Sequence, residues 1–448
     1  MPQPLILLCT VGTGNVDQLR DTLLTPLTKS IQAGEWQRVI LLPSKVTADN
    51  AAVLQNELAQ FAIEIQPLPV AGAEDNADAC FAHFDRVIEE LRNAGHEPQQ
   101  ILADFTRGTK AMSAALVLAA IRHELPQLRY LSGGRRDERG LVVPGTEIVT
   151  DIRTTVATAR RRLDEASGFL QRGNFAAVLD VLPDPASPFA AAWPADVLEQ
   201  ATFVRPLARF YSAWDRLDYK GASHVDLLPS LGMRVAGATR LRDTRTRWDK
   251  FVPSAAVRGW VQSLAEDLPD DARTRAGRLR LLAADLLANG ERRLRDHQFE
   301  DAIIRAYRVL ELVGQTRLCD QGIHSDDVPA DHPIVQAFQD KLAKNNSNGL
   351  GRGPGGRLLA SREQVARLLK DFKDPLAQRL LDLGNEGVVK ASRRNYSALI
   401  HGFEAASGSD PAPLIELYDK LEKLLLADSG DSTADRLRLA RTPDLSRS

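Results

Sequence analysis

Residues 100–113 read Gln100-Ile-Leu-Ala-Asp-Phe-Thr-Arg-Gly-Thr-Lys-Ala-Met-Ser113. The apolar start of this stretch is typical of a short buried strand, and the apolar spacing that continues to Arg122 predicts a helix from Gly108. The residues between them then form the connecting loop. A strand that enters a helix through a short loop is the building unit of α/β proteins.

The same alternation runs through the first part of the chain. The predicted strands are 4–10, 38–42, 63–68, 100–105 and 128–131, and the predicted helices are 19–31, 48–61, 77–91 and 108–122. Strands that alternate with helices indicate a parallel sheet covered on both faces. Residues 140–151 alternate around Pro144-Gly145, which predicts a hairpin at the sheet edge. We therefore predict a Rossmann-like α/β domain over residues 1–152.

The remainder of the chain is predicted to be all-α, because apolar residues recur at helical spacing from Thr154 onward. Two similar stretches, Gly173-Asn-Phe and His297-Gln-Phe, each indicate a turn between two helices. We expect a helical linker domain at 153–294 and a second helical domain at 295–426. The tail at 427–448 is rich in Asp, Ser and Arg, which predicts disorder.

Two loops of the predicted sheet are suited to an anion. In parallel sheets, ligands bind beyond the carboxyl ends of the strands, where helices begin with free N–H groups. The candidate ligand-binding residues are Thr10, Gly12 and Thr13 in the first loop and Thr106, Arg107, Gly108, Thr109 and Lys110 in the second. Gly108 would let a ligand approach the backbone, and Lys110 would place a cation at a helix N-terminus. We expect a phosphorylated ligand, with simple tight turns and helix caps as the alternative.

Two familiar phosphate motifs are excluded. Gly108-Thr109-Lys110 is not a P-loop, because its lysine follows threonine and no glycine leads the loop. Gly12-Thr13-Gly14 lacks the third glycine of the dinucleotide fingerprint. A nucleotide-dependent oxidoreductase is therefore disfavoured.

A second region of interest is Ser392–Phe403, which reads Ser-Arg-Arg-Asn-Tyr-Ser-Ala-Leu-Ile-His-Gly-Phe. On the amphipathic helix that this pattern predicts, Arg394 and His401 share nearly one face and lie about 10 Å apart along the axis. Histidine exchanges protons near neutral pH, and the arginine fork suits phosphate oxygens. Such a pair can cleave RNA through its own 2′-hydroxyl, without a metal, because the nucleophile belongs to the substrate.

The spacing alone is a weak signal. Arg292 precedes His297, and Arg317 precedes His324, with similar separations. His297 lies in a polar run and His324 in a loop-like stretch, whereas His401 ends an amphipathic helix. A surface helix with a solvated arginine and a capping histidine is the alternative.

The composition limits the class of protein. The 448 residues are 44% apolar, enough for ordinary globular cores, and the formal net charge is −2. That charge argues against non-specific coating of nucleic acid, so any RNA contact has to be local. Two arginine-rich stretches, 234–247 and 273–295, are best explained as solvated helix faces, with a local path for an RNA backbone as the alternative.

The cysteines and the apolar runs predict the compartment. Cys9, Cys80 and Cys319 are scattered without the spacing of a metal site, which suits a reducing cytoplasm. The most apolar run, 112–121, is too short to span a bilayer, and the N-terminus lacks the basic flank of a signal peptide. We expect a cytoplasmic protein with no metal site and no membrane partner.

Taken together, the loop Asp104-x-Thr-x-Gly-Thr-Lys-x-Met112 and the later Arg394-Asn395-x5-His401-Gly402 resemble those of the type III CRISPR-associated CARF–HEPN ribonucleases. The helix that contains Tyr307, Leu310 and Glu311 adds to the likeness. The resemblance covers residues 1–152 and 295–425 and leaves the helical middle open.

The resemblance implies a CARF sensor and a HEPN ribonuclease in one chain. The CARF pair of a homodimer would bind cyclic oligoadenylate as an allosteric activator, and the HEPN pair would cleave single-stranded RNA. Arg394, Asn395 and His401 would be the ribonuclease site. No other cofactor and no stable association with the CRISPR interference complex are expected, and whether the CARF domain also cleaves its activator stays open. The alternative is a nucleotide-sensing regulator or scaffold without nuclease activity.

Overall fold

The computed structural model describes residues 5–135, 138, 142–143, 145–187, 190, 193–228, 247–345, 348–385, 411–429 and 431–443. The chain divides into two compact units. The first comprises Met1–Ala166 and Asp180–Thr202, and the second comprises Ser167–Leu179 and Phe203–Ser448.

The first unit is built on one six-stranded sheet. Its strands are β1 Ile6–Val11, β2 Arg38–Pro43, β3 Ile63–Ile65, β4 Ile101–Asp104, β5 Gln127–Gly133 and β6 Glu147–Arg153. They lie in the order β3-β2-β1-β4-β5-β6, with β1 to β5 parallel and β6 antiparallel to β5. The predicted parallel sheet is therefore confirmed, with all five of its strands near their predicted positions.

Helices cover both faces of this sheet, as predicted. They are α1 Thr25–Gln32, α2 Ala48–Glu57, α3 Ala77–Asn93 and α4 Lys110–Arg122. Successive strand residues point to opposite faces. Thus Leu7 belongs to the core that includes Leu27 of α1 and Leu54 of α2. Its neighbour Leu8 belongs to the core that includes Phe84 of α3 and Leu116 of α4.

The hairpin at the sheet edge differs from the prediction. The edge strand is β6, as expected, but its antiparallel partner is β5, with Gly133 opposite Glu147. Pro144 lies outside the described residues, and Gly145 belongs to the connection between β5 and β6, in which the Thr146 nitrogen donates to the Val143 carbonyl at 3.1 Å. The alternating pattern placed one strand correctly, but its partner is decided by the order of strands in the sheet.

The rest of the described chain is largely helical. The helices are α5 Thr155–Gln171, α6 Phe175–Val181, α7 Ala195–Asp215, α8 Tyr219–Ser223, α9 Ala255–Ala265, α10 Ala272–Arg295, α11 Phe299–Asp320, α12 Pro333–Lys344, α13 Arg362–Asp371, α14 Ala377–Asn385, α15 Ala412–Ser429 and α16 Asp431–Ala440. A short antiparallel pair, β7 Gly351–Arg352 and β8 Leu358–Leu359, lies in and just after the glycine-rich stretch.

Both predicted inter-helix turns are confirmed. Gly173 lies between α5 and α6, and His297 lies between α10 and α11. Each adopts the left-handed conformation, with φ of 77° and 57°. A single left-handed residue ends one helix and lets the chain enter the next.

The tail at 427–448 was predicted to be disordered, and the structure corrects this. α16 occupies Asp431–Ala440, and Leu437 and Ala440 are buried. Arg441 beyond it pairs with Glu291 of α10 and Glu422 of α15. The tail is polar in composition, but its few apolar residues fall on one helix face that packs on the same unit.

The predicted domain borders fall at the ends of elements. The border at 152 lies at the end of β6, and the border at 294 lies at the end of α10. They stay a prediction. Within the described residues, none of the helices is both long and apolar enough to cross a membrane.

Candidate functional site: two loops at the carboxyl edge of the sheet

The two predicted ligand loops meet at the carboxyl edge of the sheet. Their strands, β1 and β4, are neighbours, with Cys9 opposite Asp104. A β-carbon added at Gly12 would lie 3.0 Å from the Gly108 nitrogen and 3.1 Å from its Cα. The loops therefore lie backbone against backbone, and a side chain at Gly12 would require the Gly108 backbone to shift.

Gly108 is also required by its own conformation. Its φ is 144°, which side chains rarely permit. A β-carbon here would lie 3.1 Å from the Thr10 Cβ and 3.2 Å from the Met112 Cβ. The glycine thus lets the second loop pass closely over the end of β1.

Asp104, the last residue of β4, holds the second loop in place through hydrogen bonds. Its carboxylate is fully buried and accepts hydrogen bonds from the Ser30 hydroxyl, from the Thr106 hydroxyl and, at 2.8 Å, from the Thr106 nitrogen. The Thr106 hydroxyl in turn accepts from the Leu131 nitrogen at 2.9 Å. The loop is therefore fixed to α1 and β5 before any ligand binds.

The threonine hydroxyls of the second loop are engaged within the protein. Thr106 bonds to Asp104 and Leu131, as described above. Thr109 caps α4 by accepting from the Met112 nitrogen at 3.2 Å, and donates to the Glu74 carbonyl. Their role in the fold is thus to shape the loop, and a direct contact of either hydroxyl with a ligand stays a prediction.

Other groups of the two loops are available to an anion. The side chains of Thr13 and Lys110 are exposed. In the described part of the chain, no hydrogen bond uses the N–H of Lys110 or Ala111, at the positive end of α4. The two loops thus offer an exposed hydroxyl, an exposed cation and helix N-terminal N–H groups near the carboxyl edge of the sheet, which suits an anion.

Two buried polar atoms next to these loops lack a partner among the described residues. They are the Thr10 hydroxyl and the Arg107 Nε. Burial lowers the pKa of the Arg107 guanidinium, while Glu147 and Asp104 oppose this. Leaving a buried polar group unpaired costs free energy. These two atoms lie on the buried side of the candidate site, where a ligand group could pair with them.

Sequence reasoning missed residues that support the first loop. Thr47 donates to the Val11 carbonyl at 2.8 Å, and Asn50 donates to the Gly12 carbonyl at 3.1 Å. Both follow β2, which also ends at this edge. The rule that loops after parallel strands share one edge could have singled out Thr47, but nothing in the sequence distinguishes Asn50 from other polar residues of α2.

The buried carboxyl of Asp104 predicts a pH-dependent stability. Burial raises the pKa of Asp104, and the hydrogen bonds from Ser30 and Thr106 oppose this only in part. The pKa of Asp104 is therefore higher in the folded state than in the unfolded state. The contribution of this carboxyl to the free energy of unfolding is complete below the unfolded-state pKa and is lost as the pH rises through the folded-state pKa.

We therefore expect Asp104→Asn to lower the free energy of unfolding by about 1–3 kcal/mol, because the amide cannot accept all the bonds that the carboxyl accepts. The loss should be largest at acidic pH and shrink as the pH rises, since asparagine does not titrate. Urea unfolding of both proteins across about pH 4 to 8 measures it. A loss that grows with pH would contradict this assignment.

The predicted catalytic residues Arg394, Asn395 and His401 lie outside the described residues. The two competing Arg–His spacings can be assessed. Arg317 pairs with Asp374 at 2.7 Å and with Asp428 at 3.3 Å, and both carboxylates are almost completely buried. Arg292 pairs with Asp215 at 2.9 Å. Both arginines hold helices together, and a phosphate-binding role for Arg394 stays a prediction.

The comparisons with known proteins bear on both units. Residues 271–425 match the family model of the Csm6 HEPN domain. The whole chain resembles the structure of Enterococcus italicus Csm6 bound to cyclic hexa-2′-fluoro-hexa-dAMP, with a TM-score of 0.52 and 12% identity over 98% of this chain and 99% of that one. Residues 271–425 thus match the HEPN domain of the Csm6 family, and the chain as a whole shares the fold of that Csm6. By fold, the α/β domain is CARF-like, and the matched helices α10 to α15 form the HEPN domain.

Two further comparisons add nothing to this assignment. Can2 from Sulfobacillus thermosulfidooxidans in complex with cyclic tetra-adenylate matches with a TM-score of 0.22 and 14% identity over 49% of this chain and 68% of that one. That score is too low to support a conclusion. A comparison with curated proteins finds no significant match.

The arginines at the start of the HEPN domain serve its fold. Arg280 of α10 bonds to Asp320 of α11 and to Asp428 of α15. Arg293 bonds to Asp215 of α7. The predicted solvated helix face is therefore wrong for these two arginines, because their side chains are only 16% and 15% exposed and tie helices together. Within the described residues, no group of three or more His, Cys, Asp or Glu is placed to hold a metal ion.

Proposed function

We propose that this CARF–HEPN protein is an endoribonuclease of type III CRISPR antiviral defence, which cyclic oligoadenylate activates and which cleaves single-stranded RNA without a metal. The match of residues 271–425 to the Csm6 HEPN domain carries the proposal, because this range includes Arg394, Asn395 and His401.

The predicted catalytic residues fit transesterification by the 2′-hydroxyl. His401 would transfer a proton, because an imidazole titrates near neutral pH. Arg394 would hold the scissile phosphate through its planar fork, and Asn395 would orient one of them. The 2′-oxygen bonds to phosphorus as the 5′-oxygen leaves with a proton, so the products carry a 2′,3′-cyclic phosphate and a 5′-hydroxyl.

The two loops of the CARF domain fit the activator. A cyclic oligoadenylate carries one negative charge per nucleotide, and the loops offer it the exposed Lys110, the exposed Thr13 and the N–H groups at the start of α4. The related Csm6 was solved with a cyclic adenylate analogue bound. A ring with rotational symmetry would contact the same loops of two protomers.

A homodimer follows from the same arguments. On the helix that the sequence predicts, Arg394 and His401 would be too far apart to grip one phosphodiester, so a two-fold axis would bring the arginine of one protomer to the histidine of the other. In the CARF domain, α4 is apolar on most sides, and Leu118 is 56% exposed on it. Such a face on a helix is suited to packing against a second copy.

Activation would follow from differential binding. The activator would stabilise the dimer arrangement that brings the two Arg–His pairs into register, in proportion to its preference for that arrangement. The ligand need not approach the ribonuclease site. It only has to bind one arrangement of the dimer more tightly than the other.

The direct test incubates the protein with fluorescent single-stranded RNA in excess EDTA, with no activator or with cyclic tetra- or hexa-adenylate. We expect cleavage that depends on one ring size and persists in EDTA, because the substrate supplies its own nucleophile. Mass spectrometry should find a 2′,3′-cyclic phosphate on the product, and chromatography of the activator reports whether it is also cleaved. Absence of cleavage with every ring size would favour the alternative, a nucleotide-sensing regulator without nuclease activity.

A further inference from the structure

The segment after β3 reaches the carboxyl edge of the sheet beside the second ligand loop. Beyond β3 the chain still runs alongside β2, because the Leu68 nitrogen donates to the carbonyl of Pro43, the last residue of β2, at 2.9 Å. The segment then forms a 3₁₀ turn at Ala73–Asp75. The Thr109 hydroxyl, which caps α4, donates to the Glu74 carbonyl of this turn. The turn is therefore tied to the helix N-terminus that is available to an anion.

Glu74 carries a carboxylate oxygen that the protein itself leaves unsatisfied. Its Oε2 is buried and has no hydrogen-bond partner among the described residues. A buried acceptor without a donor costs free energy, so this oxygen points to a donor from outside the chain. Glu74 as a whole is only half-buried, so the residue keeps a surface that a bound molecule can contact.

Exposed apolar residues accompany this carboxylate. Val46, after β2, and Val70, after β3, are 67% and 61% exposed, and they are the two most exposed large apolar side chains in the described part of the first unit. Pro69 and Ala71 on either side of Val70 are also exposed. Ligand sites combine apolar surface with a few placed polar groups. The loops after β2 and β3 thus offer apolar surface next to an acceptor that lacks a donor.

The charge of Glu74 decides which part of the activator it meets. A carboxylate repels phosphate, so it does not belong with Lys110 to the phosphate site. A ring of adenylates has two kinds of hydrogen-bond donor, the 6-amino group of adenine and the ribose 2′-hydroxyl. The 2′-hydroxyl is next to the carbon that carries a phosphate, whereas the 6-amino group lies at the far end of the base. A carboxylate therefore accepts from the amino group with the least repulsion.

We propose that Glu74 accepts a hydrogen bond from the 6-amino group of an adenine of the activator, and that Val70 packs against that base. The loops after β1 and β4 then hold the phosphates, and the loops after β2 and β3 select the base. The inference rests on the proposed function, because it names the group by which the activator site recognises adenine.

The test titrates the protein calorimetrically with cyclic tetra- and hexa-adenylate and with rings of the same sizes built from purine riboside, which lacks the 6-amino group. For the ring size that binds, we expect the purine riboside ring to bind about 10- to 100-fold more weakly, the usual effect of losing a hydrogen bond to a charged group. Glu74→Ala should weaken binding of the adenylate ring by a similar factor and should no longer distinguish the two rings. Glu74→Gln should recover most of the affinity, because its amide oxygen still accepts.

Asp75→Ala is the matched control, because it removes the same charge from an exposed position of the same turn. Loss of a negative charge near a polyanion strengthens binding on electrostatic grounds alone. Asp75→Ala should therefore bind the adenylate ring as tightly as the unmodified protein or more tightly, whereas Glu74→Ala should bind it more weakly. Normal or tighter binding by Glu74→Ala, or an equal loss in both variants, would overturn the proposal.

Two further measurements separate recognition of the base from other roles of Glu74. The melting temperature of Glu74→Ala should be unchanged or higher, since the Oε2 that it removes has no partner among the described residues. A lower melting temperature would show a structural role and overturn the proposal. An adenylate ring with 2′-fluoro groups, which lacks the hydroxyl donors, should still lose affinity in Glu74→Ala. If this ring bound both proteins equally, the ribose would be the partner of Glu74 and the assignment to adenine would be wrong.

Val70→Ser should weaken binding of both rings by about 3- to 10-fold, because it removes apolar contact but leaves the hydrogen bond. Val156→Ser, which changes an exposed valine of α5, should bind both rings normally. Unchanged affinity in Val70→Ser would remove Val70 from the site. If the unmodified protein bound neither adenylate ring, the proposed function would fail and this inference with it. If it bound adenylate and purine riboside rings equally, only this inference would fail.

Discussion

Replacing His401 by alanine is expected to lower the rate of activator-dependent RNA cleavage by about two to four orders of magnitude, the usual contribution of a general acid or base. The loss should appear in kcat, because the imidazole acts on the reacting atoms and contributes little to RNA binding. Initial rates with fluorescent single-stranded RNA at saturating activator measure it.

The matched control is His324→Ala, because His324 follows Arg317 with the same spacing as His401 follows Arg394. Arg317 is committed to Asp374 and Asp428. We therefore expect His324→Ala to cut RNA at nearly the unmodified rate. Undiminished cleavage by His401→Ala, or an equal loss in both variants, would remove His401 from the mechanism.

The second large effect is expected at the contact between the CARF loops. Gly12→Val would force methyl groups into the backbone of Gly108, which cannot move aside as a flexible side chain can. Overpacking of this kind costs about 1–3 kcal/mol, so the activator concentration for half-maximal cleavage should rise by about one to two orders of magnitude. Calorimetric titration with the activator measures the same change as a loss of affinity.

A graded series tests the steric origin of that effect. Gly12→Ala requires a shift of only a few tenths of an ångström and should weaken activation less than Gly12→Val. Gly95→Ala is the control, because a β-carbon there meets nothing within 4 Å, although its φ of 91° costs some stability. If Gly12→Val bound activator normally, the close contact of the two loops would have no part in the site.

The structure changes how the threonines of the second loop are understood. Sequence reasoning treated Thr106 and Thr109 as donors to a ligand, whereas their hydroxyls bond to Asp104 and to the Glu74 carbonyl. If the proposed function holds, ligand recognition would fall mainly to the backbone of this loop, Lys110 and the first loop. Hydroxyls that shape a loop preorganise its N–H groups, which reduces the cost of binding.

Local sequence was sufficient for the elements themselves. The spacing of the apolar residues predicted the five parallel strands and the four helices of the CARF domain. This spacing depends on whether one face or both faces of a strand or helix are buried. The similar stretches Gly173-Asn-Phe and His297-Gln-Phe predicted two turns between helices, and the structure places a left-handed residue at each. The placement of both anion loops at one edge also followed, since parallel strands end on the same side.

Only the tertiary structure decided which groups meet. Several contacts join residues that are far apart in the chain. They are the backbone contact of Gly12 with Gly108, the bond from the Leu131 nitrogen to the Thr106 hydroxyl, the pairing of Arg317 with Asp374 and Asp428, and the packing of Arg362 against Gly384. Periodicity shows that a face will be buried, but not what will cover it. That choice depends on how all the elements pack together, so a sequence read segment by segment does not contain it.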